Sequence, residues 1–445
     1  MEWQELNSKR WIRRLTFAAF SIVLVALAAG TGLAQGDGKA DRSFGTKGVA
    51  TFDADPLSID GPSDMARDAK GRIVFGGTTY NGPGGNQAWF ARLKRNGQLD
   101  PTFGTGGASV FSLPGGQFVN DITIDPKGRI LAAGNWDISP DRDMWVLRLK
   151  ADGTPDTGFG TGGGYNYDSG QDFDLGYGVA VAKGGTIYLA GSTGDGITDK
   201  ATVVRFTSDG NPDPTWGVGG AVTLDVGGAS SRAQAIRLDR RGRVVLGGFR
   251  SYGDDSADFL AIRLTRKGKL DKTFNGRGFK LLRFMKGQRA QVEDMVIDGR
   301  GRILLAGNGN IAPDGVPDGQ LARLRPNGKP DRSFGKRGKI TRSIYGTSVQ
   351  VAGIRIDREG RIVVGGGSTS PTDIDKALLL RFRSNGRIDR SFGKKGQLQF
   401  TFGLPFAAGG PLLIDGKGRY LLAGSNFGTG LVYVARRLVR YPRRR

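Results

Sequence analysis

The sequence predicts an all-β chain: a seven-bladed β-propeller of four-stranded antiparallel blades, preceded by an N-terminal signal peptide. Three observations predict it. A segment reading Asp-x-Ser/Thr-Phe-Gly returns seven times, a segment reading Gly-Arg-Ile-Val-apolar-Gly-Gly also returns seven times, and the apolar runs between them are short and lack a helical period. Glycine supplies 75 of the 445 residues without a triplet period, so the chain is not collagen-like, and 38% hydrophobic residues are too many for plain disorder.

The aromatic of the first segment falls at Phe44, Phe103, Phe159, Trp216, Phe274, Phe334 and Phe392, at spacings of 59, 56, 57, 58, 60 and 58. Its Asp and Ser/Thr are suited to fixing a turn and the Gly to relaxing it, while the aromatic is expected to plug the seam between adjacent blades. The second segment begins at Gly71, Gly128, Gly185, Gly242, Gly301, Gly360 and Gly418, with Thr186 in place of Arg in the third copy. In the second copy the four strand-like runs are 108–113, 119–125, 129–136 and 143–150.

Between the second and third runs stands an Asp-x-x-Gly-Arg hairpin turn, as at Asp68, Asp125, Asp239, Asp298, Asp357 and Asp415. We prefer this turn role to a metal role for these Asp residues. A third segment ends in Arg-Leu or Arg-Phe, as at Arg92, Arg263 and Arg381, and its Arg should pair with a carboxylate of the same blade or the next. Four strands at a period of 56–60 residues fit a blade, and a ring of blades lets 35–438 fold around many small cores. Asp37–Gly45 carries the blade-joining segment with no fourth strand before it, and the last fourth strand, 431–438, has no such segment after it. The N-terminal piece should therefore dock beside the last blade and close the ring.

Composition removes whole classes of chemistry. With neither Cys nor His, the chain has no disulfide, no thiolate, no Ser-His-Asp triad and no Cys- or His-ligated zinc. No catalytic, cofactor-binding or metal-binding constellation is recognisable, and no cofactor is expected. Residues 1–34 read as a targeting segment: Lys9, Arg10, Arg13 and Arg14 precede the apolar run 15–29, and Gly32 and Ala34 suit cleavage before Gln35. Phe17 is displaced from the twin-arginine pattern, which favours the general export route, with a retained anchor as the alternative. The mature chain is expected to be a secreted, cell-surface or periplasmic monomer without a membrane span. The tail 439–445 is basic.

The net charge of +23 is one-sided: residues 221–445 hold 44 Lys and Arg against 18 Asp and Glu, whereas residues 1–220 hold 21 against 24. In a propeller the hairpin turns and the Phe-Gly loops share one face. In the later blades they carry Arg240, Arg241, Arg266, Lys267, Lys272, Arg332, Lys336, Arg337, Arg390, Lys394 and Lys395. Such a crescent can attract an anionic polymer, although the same charges also suit an ordinary solvated surface. Aromatics do not interleave them, so specific nucleic-acid recognition is not expected. The opposite face should carry Asp137, Asp141 and Asp143; Asp254 and Asp255; Asp314 and Asp318; and Asp373 and Asp375, oxygen donors whose spacing matches no cation loop.

The run Asp258-Phe259-Leu260-Ala261-Ile262-Arg263 with Gly268-Lys269-Leu270-Asp271-Lys272-Thr273-Phe274 resembles the bacterial delta-60 repeat, over essentially all of 37–438. That resemblance implies a secreted or surface bacterial β-propeller of unknown function and brings no catalytic residues with it. Trp216 for Phe, Asn275 for Gly and Thr186 for Arg depart from its pattern. The sequence favours a non-catalytic binding or scaffold module that contacts an anionic polymer or another envelope protein. The alternative is a carboxylate-dependent hydrolase or lyase acting on polysaccharide, with an Asp/Glu pair in the central channel.

Overall fold

A computed structural model describes residues 37–54, 59–82, 85–111, 115–137, 141–254, 256–310, 317–342, 348–370, 373–402, 407–426 and 430–439. The expected signal segment and the tail from 440 onward lie outside those residues, as do Asp255 and Asp314. The described residues form strands and turns without a helix, and no helix among them is long and apolar enough to cross a membrane.

The strands run in groups of four behind a short first one, β1 (Val49–Phe52). There follow β2 (Ile59–Arg67), β3 (Ile73–Gly82), β4 (Gly85–Leu93) and β5 (Ala108–Phe111), then β6 (Gly116–Ile124), β7 (Ile130–Asp137), β8 (Arg142–Leu149) and β9 (Gly164–Tyr167). Next are β10 (Phe173–Val181), β11 (Ile187–Gly194), β12 (Lys200–Phe206) and β13 (Ala221–Thr223), then β14 (Ser230–Leu238), β15 (Val244–Ser251), β16 (Ala257–Leu264) and β17 (Phe279–Leu282). The chain continues through β18 (Ala290–Ile297), β19 (Ile303–Asn310), β20 (Pro317–Leu324) and β21 (Lys339–Arg342), and through β22 (Ser348–Ile356), β23 (Ile362–Ser370), β24 (Asp373–Phe382) and β25 (Gln397–Phe400). It ends with β26 (Ala407–Ile414), β27 (Tyr420–Asn426) and β28 (Val432–Arg437).

Each group is an antiparallel meander, and a single parallel bridge, Phe173↔Arg142, joins the second and third. The last three strands take β1 as their fourth, with Val49 opposite Ala435 and Phe52 opposite Val432. The first strands of successive groups pack on one another, and β26 packs on β2, so the succession closes on itself as a propeller. The N-terminal segment thus docks beside the last sheet, as its position in the repeat predicts.

One assignment differs from the sequence reading. The run after each Phe-Gly motif belongs to the preceding sheet: β5 pairs β4, with Ala88 opposite Phe111, and does not open the next sheet. The cause is local. The loop closes on itself through Gly107 N donating to Phe103 O at 2.9 Å and Thr105 N to Ala108 O at 2.8 Å, which sends the chain straight back along β4.

The seams carry the repeat's chemistry. All seven motif aromatics are 0–1% exposed. Each ring meets a turn of the following sheet. A Cβ added at Gly153 would lie 2.8 Å from the Phe103 ring and one at Gly328 2.8 Å from the Phe274 ring, and both glycines hold a positive φ, so only glycine fits there. The repeated Arg lies over the same ring, 4.8 Å away for Arg92 on Phe103 and 4.2 Å for Arg148 on Phe159. Its Nε donates to the motif Asp of its own sheet, as Arg92 does to Asp100 at 2.8 Å and Arg323 to Asp331 at 2.8 Å. Its Nη1 reaches a backbone carbonyl of the following sheet, Ser208 for Arg148 at 2.5 Å and Ala151 for Arg92. Burial alone would raise the Asp100 carboxyl, but hydrogen bonds from Thr102 and the Arg92 guanidinium outweigh it and bring it down to about 2.

The turn Asp also has the role expected of it. Asp68 Oδ1 accepts the Arg72 N–H at 2.8 Å, and Arg72 then spans Asp68 and Asp100 at 2.6 and 3.0 Å. Turn and Phe-Gly loop therefore lie together at one end of each sheet.

Candidate functional site

The eleven cations expected on the turn-and-loop face are all exposed. They sit on the β14–β15, β16–β17, β20–β21 and β24–β25 connections. Arg266 is held by its Nε donating to Arg241 O at 2.6 Å. Two others stand in an unusual backbone state: Arg337 has φ +54° and Lys395 φ +55°, as Lys47 of the first loop does at +54°, where three other loops carry Gly106, Gly162 and Gly219. A Cβ at those glycines would meet nothing within 4 Å. A long cation there therefore costs on the order of 1 kcal/mol of backbone strain with no packing in return. Sequence reasoning missed the cations that meet beside this loop. Lys280 and Arg283 of one sheet face Arg325, Lys329 and Lys339 of the next across a cleft, because the outer strand β17 lies against the β20–β21 connection.

The axial channel holds a second constellation. Every first strand breaks register, between Pro62 and Asp64, Val119 and Asp121, Gly176 and Gly178, Ala233 and Ala235, Val292 and Asp294, Val351 and Gly353, and Gly409 and Leu412. These bulges turn side chains inward. Asp64, Asp121 and Asp294 each accept a backbone N–H of the following sheet: Ile122 at 3.3 Å, Val179 at 2.8 Å and Ile354 at 3.0 Å. Arg237 pairs Asp294 at 2.7 Å, and Arg355 binds Asp294 and lies 3.9 Å from Asp64. Burial would raise Asp294, but the two guanidinium groups hold it below the usual carboxylate range. Asp121 goes the other way: burial, then the Asp64 carboxylate, push it well above that range against the pull of Arg237. This constriction opens into a funnel of about 420 Å³ walled by Met65, Val179, Ile236 and Met295.

The acidic loops of the opposite face do not converge as a set. Asp137 pairs Arg142 at 3.1 Å, Asp254 binds Ser256, and Asp318 is buried. Asp143 instead meets Asp168 and Asp174, three carboxylates with oxygens within 4.8 Å, an all-oxygen donor set of the kind a hard cation takes. Asp174 is fully buried on β10 and accepts Ser169 N and Oγ at 2.6 and 2.7 Å. Burial nevertheless raises its carboxyl from 3.8 to about 6, with Asp143 and Asp168 adding to the rise. A carboxyl with a raised pKa in the folded chain weakens folding as pH climbs from the unfolded to the folded value. The loss, about 2–3 kcal/mol, then persists at neutral pH. Asp174→Asn keeps both Ser169 contacts, so it should stabilise the chain at pH 7 and flatten stability between pH 4 and 6. Denaturant midpoints across that range check it; an unchanged slope overturns it.

Four stretches, residues 71–103, 126–159, 185–215 and 301–334, match the family model described as a domain of unknown function (DUF5122) beta-propeller. Each runs from a hairpin turn to its Phe-Gly or Trp-Gly loop, which is the part of the repeat that builds the turn-and-loop face. No curated protein matches the chain. Among solved structures, polysaccharide lyase Uly1 is similar over 91% of this chain and 96% of its own, with a TM-score of 0.50 and 12% identity. Streptogramin B lyase gives 88% and 97%, with 0.48 and 11%. A protein of unknown function from Dyadobacter fermentans gives 88% and 98%, with 0.49 and 9%. At 12% identity the likeness to Uly1 is one of fold, and the matched stretches are those of a β-propeller repeat.

Proposed function

We propose that the chain is an exported, bacterial, seven-bladed propeller of delta-60-type repeats, secreted or held at the cell surface or in the periplasm after cleavage near Ala34. It binds or scaffolds, and its basic face contacts anionic envelope or extracellular polymers. The observation that carries the reading is the placement of Arg337 and Lys395, long cations that like Lys47 hold a left-handed backbone state, at loop positions that three other loops give to glycine with open space around it. Strain kept where it gains no packing points to the charge itself as what is used. Changing Lys336, Arg337, Lys394 and Lys395 together to Glu should lower affinity for an immobilised polyanion at least 10-fold at physiological salt and flatten the dependence on salt. Equal, weak binding by both proteins reduces the charge to ordinary surface.

The second reading, a carboxylate enzyme acting on polysaccharide, is favoured by one observation, the Asp64–Asp121 pair. Asp121, pushed well above the usual carboxylate range by burial and by the neighbouring Asp64, suits the general-acid role beside a second carboxylate. Shortening of the bound polymer during the same assay, abolished by Asp121→Asn, would move the function to the channel.

A further inference from the structure

We propose that the cleft between the β14–β17 and β18–β21 sheets is the principal site of this face, and that it takes an acidic polysaccharide held by the sulfate or carboxylate groups along its chain. The inference rests on the polyanion reading above. One wall is β17 and the residue after it, where Lys280 and Arg283 flank Leu281 and Leu282. The other is the β20–β21 connection, which adds Arg325, Lys329, Arg332 and Arg337 around Pro330, and Lys339 at the start of β21. The space between is about 650 Å³, and no carboxylate lines it.

Most of these charges are not neutralised from within. Arg283 lies 3.3 Å from Asp258, whereas Lys280, Arg325, Lys329, Arg332 and Arg337 have no ion pair among the described residues. Lys339 Nζ donates to Arg283 O, crossing the cleft, and stands 5.4 Å from the Phe284 ring. Burial, with Arg337 and Lys280 adding to it, pushes the Lys339 ammonium down despite Asp258. Like charges gathered in a concave wall are relieved by an anionic ligand that spans both sheets.

The lining also selects the ligand. Three Arg forks on the second-sheet side and one on the first can each bind an oxyanion through two N–H groups. No aromatic lines the cleft, so there is no platform for stacking bases. Leu281 and Pro330 offer aliphatic surface to the C–H faces of sugar rings. A glycan bearing regular anionic groups meets both features, whereas a nucleic acid would use only the charge.

The test uses the purified protein against heparin, polygalacturonate and double-stranded DNA. Three triple variants carry equal charge changes: Lys280, Lys329 and Arg332 to Glu in the cleft; Arg390, Lys394 and Lys395 to Glu elsewhere on the crescent; and Lys70, Lys127 and Lys183 to Glu in the first three sheets. The expected result is a loss of glycan affinity of at least 10-fold in the cleft triple, a clearly smaller loss in the crescent triple and under 3-fold in the third. Equal losses in cleft and crescent triples, with the third spared, keep the polyanion reading and overturn the cleft. Equal losses in all three overturn both. DNA binding as tight as that of either glycan, lost in the same triple, overturns the polysaccharide assignment. Arg325→Lys with Arg332→Lys keeps the charge and removes two forks; it should weaken glycan binding with the salt slope unchanged, and it separates recognition from any effect of the triples on folding.

Discussion

Replacing Arg381 by Met is expected to destabilise the chain by about 3–5 kcal/mol. Arg381 is fully buried on β24. Its Nε donates to Asp389 Oδ2 at 2.8 Å, its Nη2 to Asp37 Oδ2 at 2.8 Å and to Ser391 Oγ at 3.2 Å, and its guanidinium lies 4.6 Å from the Phe392 ring centroid. No other repeated Arg among the described residues binds a motif carboxylate and a carboxylate of the N-terminal segment together, because Asp37 stands where a following sheet would offer its turn. Removal takes away the forked cation that spans two buried carboxylates. Lys is no substitute, since one ammonium cannot take the forked position between Asp389 and Asp37, so Arg381→Lys should recover less than half of the loss.

The pH dependence of that contribution has a definite sign. Burial tends to raise Asp389, but Ser391 and Arg381 bring it below its ordinary value. A depressed carboxyl contributes stability above its unfolded pKa and loses it as pH falls through the folded one. The gap between wild type and Arg381→Met should therefore be full at pH 6 and shrink towards acid. Denaturant unfolding at both ends measures it, and a cost below about 1 kcal/mol at pH 6 would show that Asp37 and Asp389 find other partners.

The parts of this structure legible in the sequence were those that each repeat states locally. Asp68, Gly71 and Arg72 specify a hairpin within five residues, and repetition converts a weak turn signal into a fold. The placement of Phe44 to Phe392 at the seams follows from the same logic, because an aromatic beside a turn must be buried against something outside that turn. What was not legible depends on where a period begins. A repeat of 56–60 residues reads the same from any starting point, so β5 could not be assigned to the sheet behind it or ahead of it from pattern alone.

The candidate sites were harder still. Lys280 and Arg332 are 52 residues apart and meet only because an outer strand faces the next sheet's loop. Asp64, Asp121 and Asp294 converge through bulges, and a bulge leaves no mark in an apolar pattern. Asp143 was among the expected acidic residues, but its neighbours Asp168 and Asp174 come from beyond β9 and from β10, where no loop spacing would have grouped them.

Phe44→Ala and Phe274→Ala should each cost about 3–5 kcal/mol, yet they should fail differently. Both rings are fully buried, each under an Arg, with Arg436 at 4.4 Å and Arg263 at 4.8 Å. The difference lies in how the outer strand is tethered. β17 follows β16 through the motif loop itself, so its pairing is held by a short covalent connection. β1 is paired to β28 from the other end of the chain, through four residues, and Phe44 packs with Phe52, Trp89 and Val434 where those two chain ends meet the first sheet. Local opening of β1 then has to break only its own contacts, and Phe44 is a large share of them. In Phe44→Ala the amides of 49–52 should exchange by a sub-global opening well before the rest, whereas in Phe274→Ala the amides of 279–282 should exchange with the whole sheet. If β1 amides in Phe44→Ala exchange only with global unfolding, the closing strand is as firmly held as any other, and the ring has no weak seam at its ends.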